Sequence, residues 1–210
     1  MKIISIYHPE AIQIAENILS NDGIIAFPTD TVYGLASLAA SSKGIDRLYK
    51  VKGRDLGKAI PCLIGSISQL TCLTDEVPPI AKILIEKFWP GALTIVFKKT
   101  ASLPENISQT DTIGIRMPNH RFALSLLQAV GPLAVTSANL SGKENPQSGL
   151  DVLNQLGDWV DLLLDGGRTS GNIPSSVVDC SEKQIRFLRQ GVIPFDVIQS
   201  ILILKDFLDS

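Results

Sequence analysis

The segment "AFPTDTVYGL", residues 26 to 35, decides where this fold places its polar groups. Apolar residues lead into it from Ile24, and the chain becomes apolar again at Val32. Between them, Pro28 is followed by two threonines and an aspartate at 29 to 31. A tight surface hairpin would favour Asn-Gly or Asp-Gly instead. The segment therefore predicts a buried strand that delivers hydroxyls and a carboxylate to a pocket.

Composition places the chain among single globular domains. It has 210 residues, of which 45% are hydrophobic and 19% charged, with a net charge of -2. A mean hydropathy of +0.22 indicates strands buried on both faces. The slightly negative charge excludes a global basic field for nucleic acid. Neither a signal peptide nor a membrane-spanning run is visible, so we expect a cytoplasmic protein without a membrane partner.

The cysteines and histidines give no catalytic or metal-binding pattern. Cys62, Cys72 and Cys180 are odd in number and have no Cys-x-x-Cys spacing, which predicts neither a disulfide framework nor a zinc site. His8 and His120 lie far apart in sequence, and nothing nearby orients either as a base. We interpret both as surface or packing residues.

Helical and strand patterns mix without strict alternation, which predicts one mixed α/β domain with a sheet covered by helices. A first helix is expected to start at Pro9, and a later one is expected to be capped by Asn119. Pro61 suggests that "AIPCLIG" is an edge strand or a bulge. We place the domain at residues 1–193 and a packed amphipathic helix at 194–210. The apolar face of that helix is predicted to comprise Val197, Ile201, Leu204 and Leu208.

Five cationic residues lie at the predicted ends of helices and strands. They are Lys52, Arg54, Lys58, Arg116 and Arg189. Hydroxyl-rich segments follow strands at 29–31, 136–141 and 175–176. If these ends converge, they form a concave basic pocket suited to a polyphosphate. Neither a Walker P-loop nor the Rossmann glycine pattern is present, so side chains would hold any nucleotide.

Each group also has a structural interpretation. The cations of "KVKGR" are placed on a loop after a helix, where they could simply complement the helix dipole. "TSANLSG" could be a turn with a helix cap, and "DGG" a turn that needs positive φ. Arg116 could pair with an internal acid. The joint pattern favours the pocket over these separate explanations.

Eight motifs in order carry a resemblance to a known family. They are "FPTDTVYGL", "KGR", "WPGALTIVF", "IGIRMPNH", "TSANLSG", "DGG", "SSVVD" and "LRQG". Over residues 10 to 193 the chain resembles the YrdC-like threonylcarbamoyl-AMP synthases of the TsaC type. The pair Lys52-Gly53-Arg54 and Ser137-Ala138-Asn139 is the most specific part. The resemblance implies a twisted mixed sheet flanked by helices around a large basic cavity, in the short form without an extra C-terminal domain.

The resemblance also implies a reaction. A nucleotidyltransferase of this type joins L-threonine, bicarbonate and ATP to give L-threonylcarbamoyl-AMP and pyrophosphate. Mg²⁺ is expected to accompany ATP as substrate, and no protein residue is assigned to a metal. The product serves the t6A modification of tRNA, so tRNA and the transfer machinery are expected partners.

The resemblance also implies site residues, at the positions of this sequence that match the motifs of the family. The residues that resemble catalytic motif positions are Lys52, Arg54, Ser137 and Asn139. The residues that resemble ATP contacts are Arg54, Lys58, Thr112, Ser137, Asn145 and Arg189. The residues that resemble threonine contacts are Thr31, Arg116, Val135 through its backbone, and Ser175.

The chain departs from the family pattern at four positions. Asp55 replaces a proline, Lys58 a neutral polar residue, Leu63 a histidine found in some relatives, and Pro174 a glutamate. These departures bear on the threonine contacts more than on the nucleotide contacts.

Three alternatives stay open. An RNA-binding module could use the same cavity, although a pI near 5.7 and the lack of an aromatic-basic stripe disfavour it. The domain also occurs in hydrogenase-maturation carbamoyl transfer, but the chain shows no acylphosphatase-like segment or zinc-finger cysteines. A paralogue could have kept the fold and lost the threonine chemistry.

Overall fold

Ten β-strands form one mixed sheet in the computed structural model, which describes residues 1–208 and, in the last helix, side chains up to residue 203. The strands are β1 Lys2–Ser5, β2 Ile25–Phe27, β3 Gly34–Leu38, β4 Cys62–Leu63, β5 Leu93–Lys98, β6 Thr112–Arg116, β7 Leu133–Ser137, β8 Leu162–Asp165, β9 Ser176–Asp179 and β10 Arg186–Arg189. Their order in the sheet is β1-β8-β2-β3-β7-β4-β6-β5-β9-β10. The helices are α1 Ala11–Leu19, α2 Ser42–Lys52, α3 Pro79–Phe88, α4 Arg121–Val130, α5 Gly149–Leu156 and α6 Phe195–Leu208.

The sheet is buried on both faces. Successive side chains of a strand point to opposite faces, so Ala26 joins one core layer while Ile25 and Phe27 join the other. Helices α1 and α4 cover the face of Phe27, and α2, α3, α5 and α6 cover the other. The predicted mixed α/β domain is confirmed, and the high hydropathy is explained by this three-layer burial.

The opening segment forms an unusual hairpin between β2 and β3, which pair antiparallel with Phe27 opposite Gly34. The connection is buried and is closed by a side chain. The Thr29 hydroxyl donates to the Val32 carbonyl at 2.7 Å and accepts the N–H groups of Thr31 and Val32. Gly34 is required because a Cβ there would lie 2.7 Å from a Val135 methyl group. The polar residues are thus held inside the protein, as the segment predicts.

Three local predictions are wrong. Helix α1 begins at Ala11, because two turns precede it: the His8 N–H donates to the Ser5 carbonyl, and the Ala11 N–H donates to the His8 carbonyl. The cap of α4 is His120, whose Nδ1 accepts the Ala123 N–H, and not Asn119. Strand β4 lies inside the sheet between β7 and β6. Pro61 precedes its first residue, so the missing N–H interrupts no pairing within it.

The C-terminal helix packs with a face different from the predicted one. Ile198 is fully buried in the core and Leu202 packs beside it, whereas Val197 is 42% exposed. The buried face is therefore shifted by one position, and it lies against α3. The predicted contacts of Leu204 and Leu208 fall outside the described side chains, as do residues 209–210 altogether. Within residues 1–208, no helix is both long and apolar enough to cross a membrane.

Candidate active site

The ends of several central strands, which come from distant parts of the chain, lie together on one side of the sheet. Gly34 at the start of β3 lies opposite both Phe27 and Ser137, the last residues of β2 and β7. Leu63 lies opposite Arg116 at the end of β6. A cavity of about 200 Å³ lies at these strand ends. It is lined by Thr29, Thr31, Val32, Tyr33, Gly34, Arg54, Pro61, Leu63, Thr94, Arg116, Val135, Thr136, Ser137, Asn145, Pro174, Ser175 and Arg189.

Three guanidinium groups converge on this cavity. Arg54 donates to the carbonyls of Lys58 and Ala59 at 2.9 Å each. Arg189 donates to the Ser175 carbonyl at 2.8 Å and to its hydroxyl at 3.2 Å. Neither arginine forms an ion pair within the described part of the chain. Burial lowers the pKa of both, and the charge of Arg54 lowers that of Arg189 further. Partly buried cations that repel each other create a site for an anion.

Arg116 already has an anionic partner. Its guanidinium forms an ion pair with Asp30 and donates to the Thr31 hydroxyl at 3.0 Å and to the Gly91 carbonyl at 2.8 Å. Burial lowers its pKa, while the Asp30 charge raises it. Both interpretations of Arg116 therefore hold, because it pairs with an internal acid and also lines the cavity. An incoming carboxylate would have to share this guanidinium with Asp30.

Lys52 lies beneath the cavity. It is the last residue of α2, which corrects its predicted place on a loop. Its Nζ donates to the Asn139 Oδ1 and the Ser137 carbonyl at 2.7 Å each, and to the Asn139 carbonyl at 3.0 Å. Burial, with a smaller contribution from the Arg54 charge, lowers the pKa of Lys52 to about 8. Lys52 and Asn139 do not line the cavity but fix Ser137, which does.

Gly53 separates the two cations of the Lys-Gly-Arg motif. It ends α2 with φ of 58°, a left-handed conformation that glycine adopts without steric cost. The chain can therefore turn between Lys52, which is buried against Ser137, and Arg54, which lines the cavity. This turn explains why the motif contains a glycine at its centre.

Three threonines of the lining, Thr29, Thr94 and Thr136, are absent from the predicted contact residues. Thr94 of β5 hydrogen-bonds the Ser175 hydroxyl at 2.8 Å, and Thr29 closes the hairpin loop. Thr94 could have been predicted from the sequence, because it carries the only hydroxyl in the apolar run "ALTIVF". Tyr33 also lines the cavity, and its hydroxyl donates to the Gly167 carbonyl at 2.7 Å. Burial raises the pKa of Tyr33 to about 12. Gly167 has φ of 76°, which confirms the predicted turn.

Most of the predicted contact residues lie together. Those that line the cavity are Thr31, Arg54, Arg116, Val135, Ser137, Asn145, Ser175 and Arg189. The Val135 N–H already donates to the Pro61 carbonyl at 2.8 Å. Lys58 and Thr112 lie outside the lining. The Lys58 side chain is exposed, and Thr112 begins the strand that brings Arg116 to the cavity at its other end.

Comparison with known proteins decides the family. A family model named for Sua5, YciO and YrdC, and described as "Telomere recombination", matches residues 17–191. The chain belongs to this Sua5/YciO/YrdC family. The resemblance read from the motifs is thereby confirmed, although the roles of individual residues remain predictions.

Two curated members of the Sua5/YciO/YrdC family are both named threonylcarbamoyl-AMP synthase. The protein of Pyrococcus abyssi is 36% identical over 193 residues, covering 91% of this chain and 57% of the relative. That of Bacillus subtilis is 37% identical over 197 residues, covering 92% and 57%. The chain thus spans a little over half the length of these relatives. A crystal structure of P. abyssi Sua5 complexed with L-threonine superposes with a TM-score of 0.92 at 34% identity, covering 96% of this chain and 61% of that one.

Proposed function

We propose that the chain is a nucleotidyltransferase that makes L-threonylcarbamoyl-AMP and pyrophosphate from L-threonine, bicarbonate and ATP. The observation that carries the proposal is the convergence of Arg54, Arg116 and Arg189 on one hydroxyl-lined cavity. The names of the relatives and the threonine complex of P. abyssi Sua5 support it. In this proposal the product supplies t6A formation on tRNA in the cytoplasm.

The proposed chemistry requires no protein nucleophile. The threonine amine and bicarbonate give a carbamate and water. A carbamate oxygen then attacks the α-phosphorus of ATP, and pyrophosphate leaves. The protein has to hold two anionic substrates close together and stabilise the charge that develops on the phosphate oxygens. Guanidinium groups and hydroxyls provide both functions.

The geometry suggests a division of the cavity. Arg116 and Thr31, which are already hydrogen-bonded to each other, would hold the threonine carboxylate once Asp30 shares the guanidinium. Ser175, whose hydroxyl accepts a hydrogen bond from Arg189 and which lines the same cavity, would be a further contact of threonine. Arg54, Arg189, Ser137 and Asn145 would hold the nucleotide. Lys58, whose exposed side chain lies outside the lining, would contact only a part of ATP that extends from the cavity.

Mg²⁺ belongs to the same proposal as a companion of ATP. The lining provides hydroxyl and amide oxygens, which suit this ion, while the neighbouring carboxylate of Asp30 is held by Arg116. The described residues contain no cluster of three or more His, Cys, Asp or Glu side chains that could hold a metal. We propose that phosphate oxygens and water are the main ligands.

The direct test is an incubation with ATP-Mg²⁺, L-threonine and bicarbonate, followed by mass spectrometry for the adenylate. We expect Arg54→Ala to weaken ATP binding by about 1.5 to 3 kcal/mol, because a charge-assisted phosphate contact is lost. The folded state should remain intact, since Arg54 lies on a loop. Lys82→Gln, which removes an exposed cation on α3, should behave as wild type.

Three outcomes would contradict this proposal. Pyrophosphate release that is equal with leucine, or without an amino acid, would remove threonine from the reaction. An Arg54→Ala variant with normal ATP affinity and a lower melting temperature would make Arg54 a structural residue. Thermal stabilisation by tRNA at low salt, without any response to ATP or threonine, would favour the RNA-binding alternative.

A further inference from the structure

A second cavity lies between the starts of α1 and α4, and we call it the α1/α4 groove. Its volume is about 500 Å³. It is lined by Ile6, Tyr7, His8, Pro9, Ala11, Ile12, His120, Arg121, Phe122 and Ser125. The chain has only two histidines, and the tertiary structure brings both to this groove. None of these residues lines the candidate active site.

The apolar part of the groove suits a flat ring. Ile6, Ala11 and Ile12 form aliphatic surface, and the rings of Tyr7 and Phe122 stand beside it. Tyr7 is 85% exposed, an unusual position for an aromatic side chain without a partner. Exposed aromatic faces of this kind stack with nucleobases.

The polar part of the groove consists of hydrogen-bond donors. His8 accepts the Glu10 N–H and His120 accepts the Ala123 N–H, both through Nδ1. The Nε2 of each neutral imidazole is therefore the N–H left for a ligand. Arg121 is exposed and has no ion pair or side-chain hydrogen bond within the described residues. No lining residue of the groove is a carboxylate. This set of donors fits an anion and disfavours an amine.

We propose that the α1/α4 groove is a second binding site, which takes a nucleoside 5′-phosphate unit. The base would stack on Tyr7 and Phe122, and the phosphate would accept hydrogen bonds from Arg121 and the two imidazoles. A purely apolar ligand would leave these donors unused, and a simple inorganic anion would leave the rings unused. Both a free mononucleotide and one unit of single-stranded RNA carry this chemistry.

The groove adjoins the wall of the candidate active site without being part of it. Ile6 of the groove and Pro28 of the hairpin loop both approach Gly166, within 2.9 and 2.8 Å of where its Cβ would lie. The negative charge of Asp30 also acts on His120. The groove therefore backs onto the loop whose Asp30 holds Arg116. The site itself does not depend on the proposed reaction.

The two histidines provide a direct test by proton NMR, since their two Hε1 signals both report on this groove. Adding AMP should shift both signals to saturation, whereas adenosine or ribose 5-phosphate alone should bind more weakly. Arg121→Gln and Tyr7→Ala alter exposed side chains and should keep the fold. Each should raise the dissociation constant for AMP, Arg121→Gln by about tenfold. Lys82→Gln should leave it unchanged.

Arg54→Ala separates this inference from the proposed function. The AMP-induced shifts should persist in that variant even though its active-site affinity for ATP is reduced. Comparing AMP with the trinucleotide ApApA identifies the source of the ligand: tighter binding of ApApA points to RNA, and tighter binding of AMP to a free nucleotide. The inference is overturned if neither shifts the signals at millimolar concentration, if ribose 5-phosphate acts as well as AMP, or if Arg54→Ala abolishes the shifts.

Discussion

Lys52 and Arg54 show that two neighbouring cations of one motif can have different physical roles. Lys52 is buried and donates only to Ser137 and Asn139, whereas Arg54 lines the cavity. A buried ammonium is stable only where acceptors surround it. We therefore interpret Lys52 and Asn139 as residues that position Ser137, and Arg54 as a direct contact of the anion.

We expect Lys52→Met to lower both stability and activity. The substitution keeps a long side chain but leaves the Asn139 Oδ1 and the Ser137 carbonyl without their donor, which costs about 1 to 3 kcal/mol. The unfolding free energy can be measured by urea titration and the activity by adenylate formation. Lys50→Met, on an exposed position of the same helix, is the matched control. Wild-type stability combined with lost activity would instead assign Lys52 a direct role in the reaction.

At the level of elements, the β9–β10 hairpin places Arg189 at the cavity. Asp179 stands opposite Arg186 in this hairpin and accepts a hydrogen bond from its guanidinium at 2.6 Å. The same carboxylate accepts the N–H and hydroxyl of Ser181 at 2.9 and 2.6 Å. Burial alone raises the pKa of Asp179, but these hydrogen bonds and the Arg186 charge outweigh it, so the pKa is lowered.

This lowered pKa predicts a pH-dependent stabilisation. The ionised carboxylate of Asp179 stabilises the folded state above its unfolded pKa of about 3.9, and the contribution is lost as pH falls through the lower folded pKa. Asp179→Asn should thus destabilise the protein at about pH 7 and much less at about pH 3. Urea titrations at both pH values measure the difference. Asp75→Asn, at an exposed aspartate, serves as the control. A difference independent of pH would contradict the electrostatic origin.

At the scale of the whole molecule, the central and edge strands of the sheet differ in protection. β7 lies in the middle between β3 and β4, whereas β10 lies at the edge and is largely exposed. Its pairing with β9 also shifts register between Phe187 and Arg189. Edge strands with few buried contacts open locally at low free-energy cost. We therefore expect Arg189 to be held less firmly than the site residues of the central strands.

Hydrogen exchange should reveal this difference. In the free protein we expect the β10 amides to exchange at least about tenfold faster than those of β7. ATP-Mg²⁺ should slow exchange in β10, because a phosphate bound by Arg189 would hold the strand in place. Mass spectrometry of peptides covering both strands measures the effect. Unchanged exchange in β10 at saturating ATP would contradict the proposed contact between Arg189 and the nucleotide.

Local sequence patterns were sufficient to predict most of the secondary structure of this protein. Apolar runs marked most of the strands, helical periodicity marked most of the helices, and "DGG" marked the turn at Gly167. The order of the motifs indicated the family, and the predicted contact residues include eight of the seventeen residues that line the cavity. These features depend on side-chain spacing and on the φ preference of glycine, both of which act over a few residues.

Only the tertiary structure decided the rest. Four features were not predicted from the sequence. They are strand β3, the burial of Lys52, the ion pair of Asp30 with Arg116, and the presence of His8 and His120 in one groove. Each depends on partners far apart in the chain, whose distance is set by strand register and helix packing. One sequence shows which groups are available. The free energy of burying the sheet on both faces determines which of them meet, because a buried charge must find its partner wherever the fold places one.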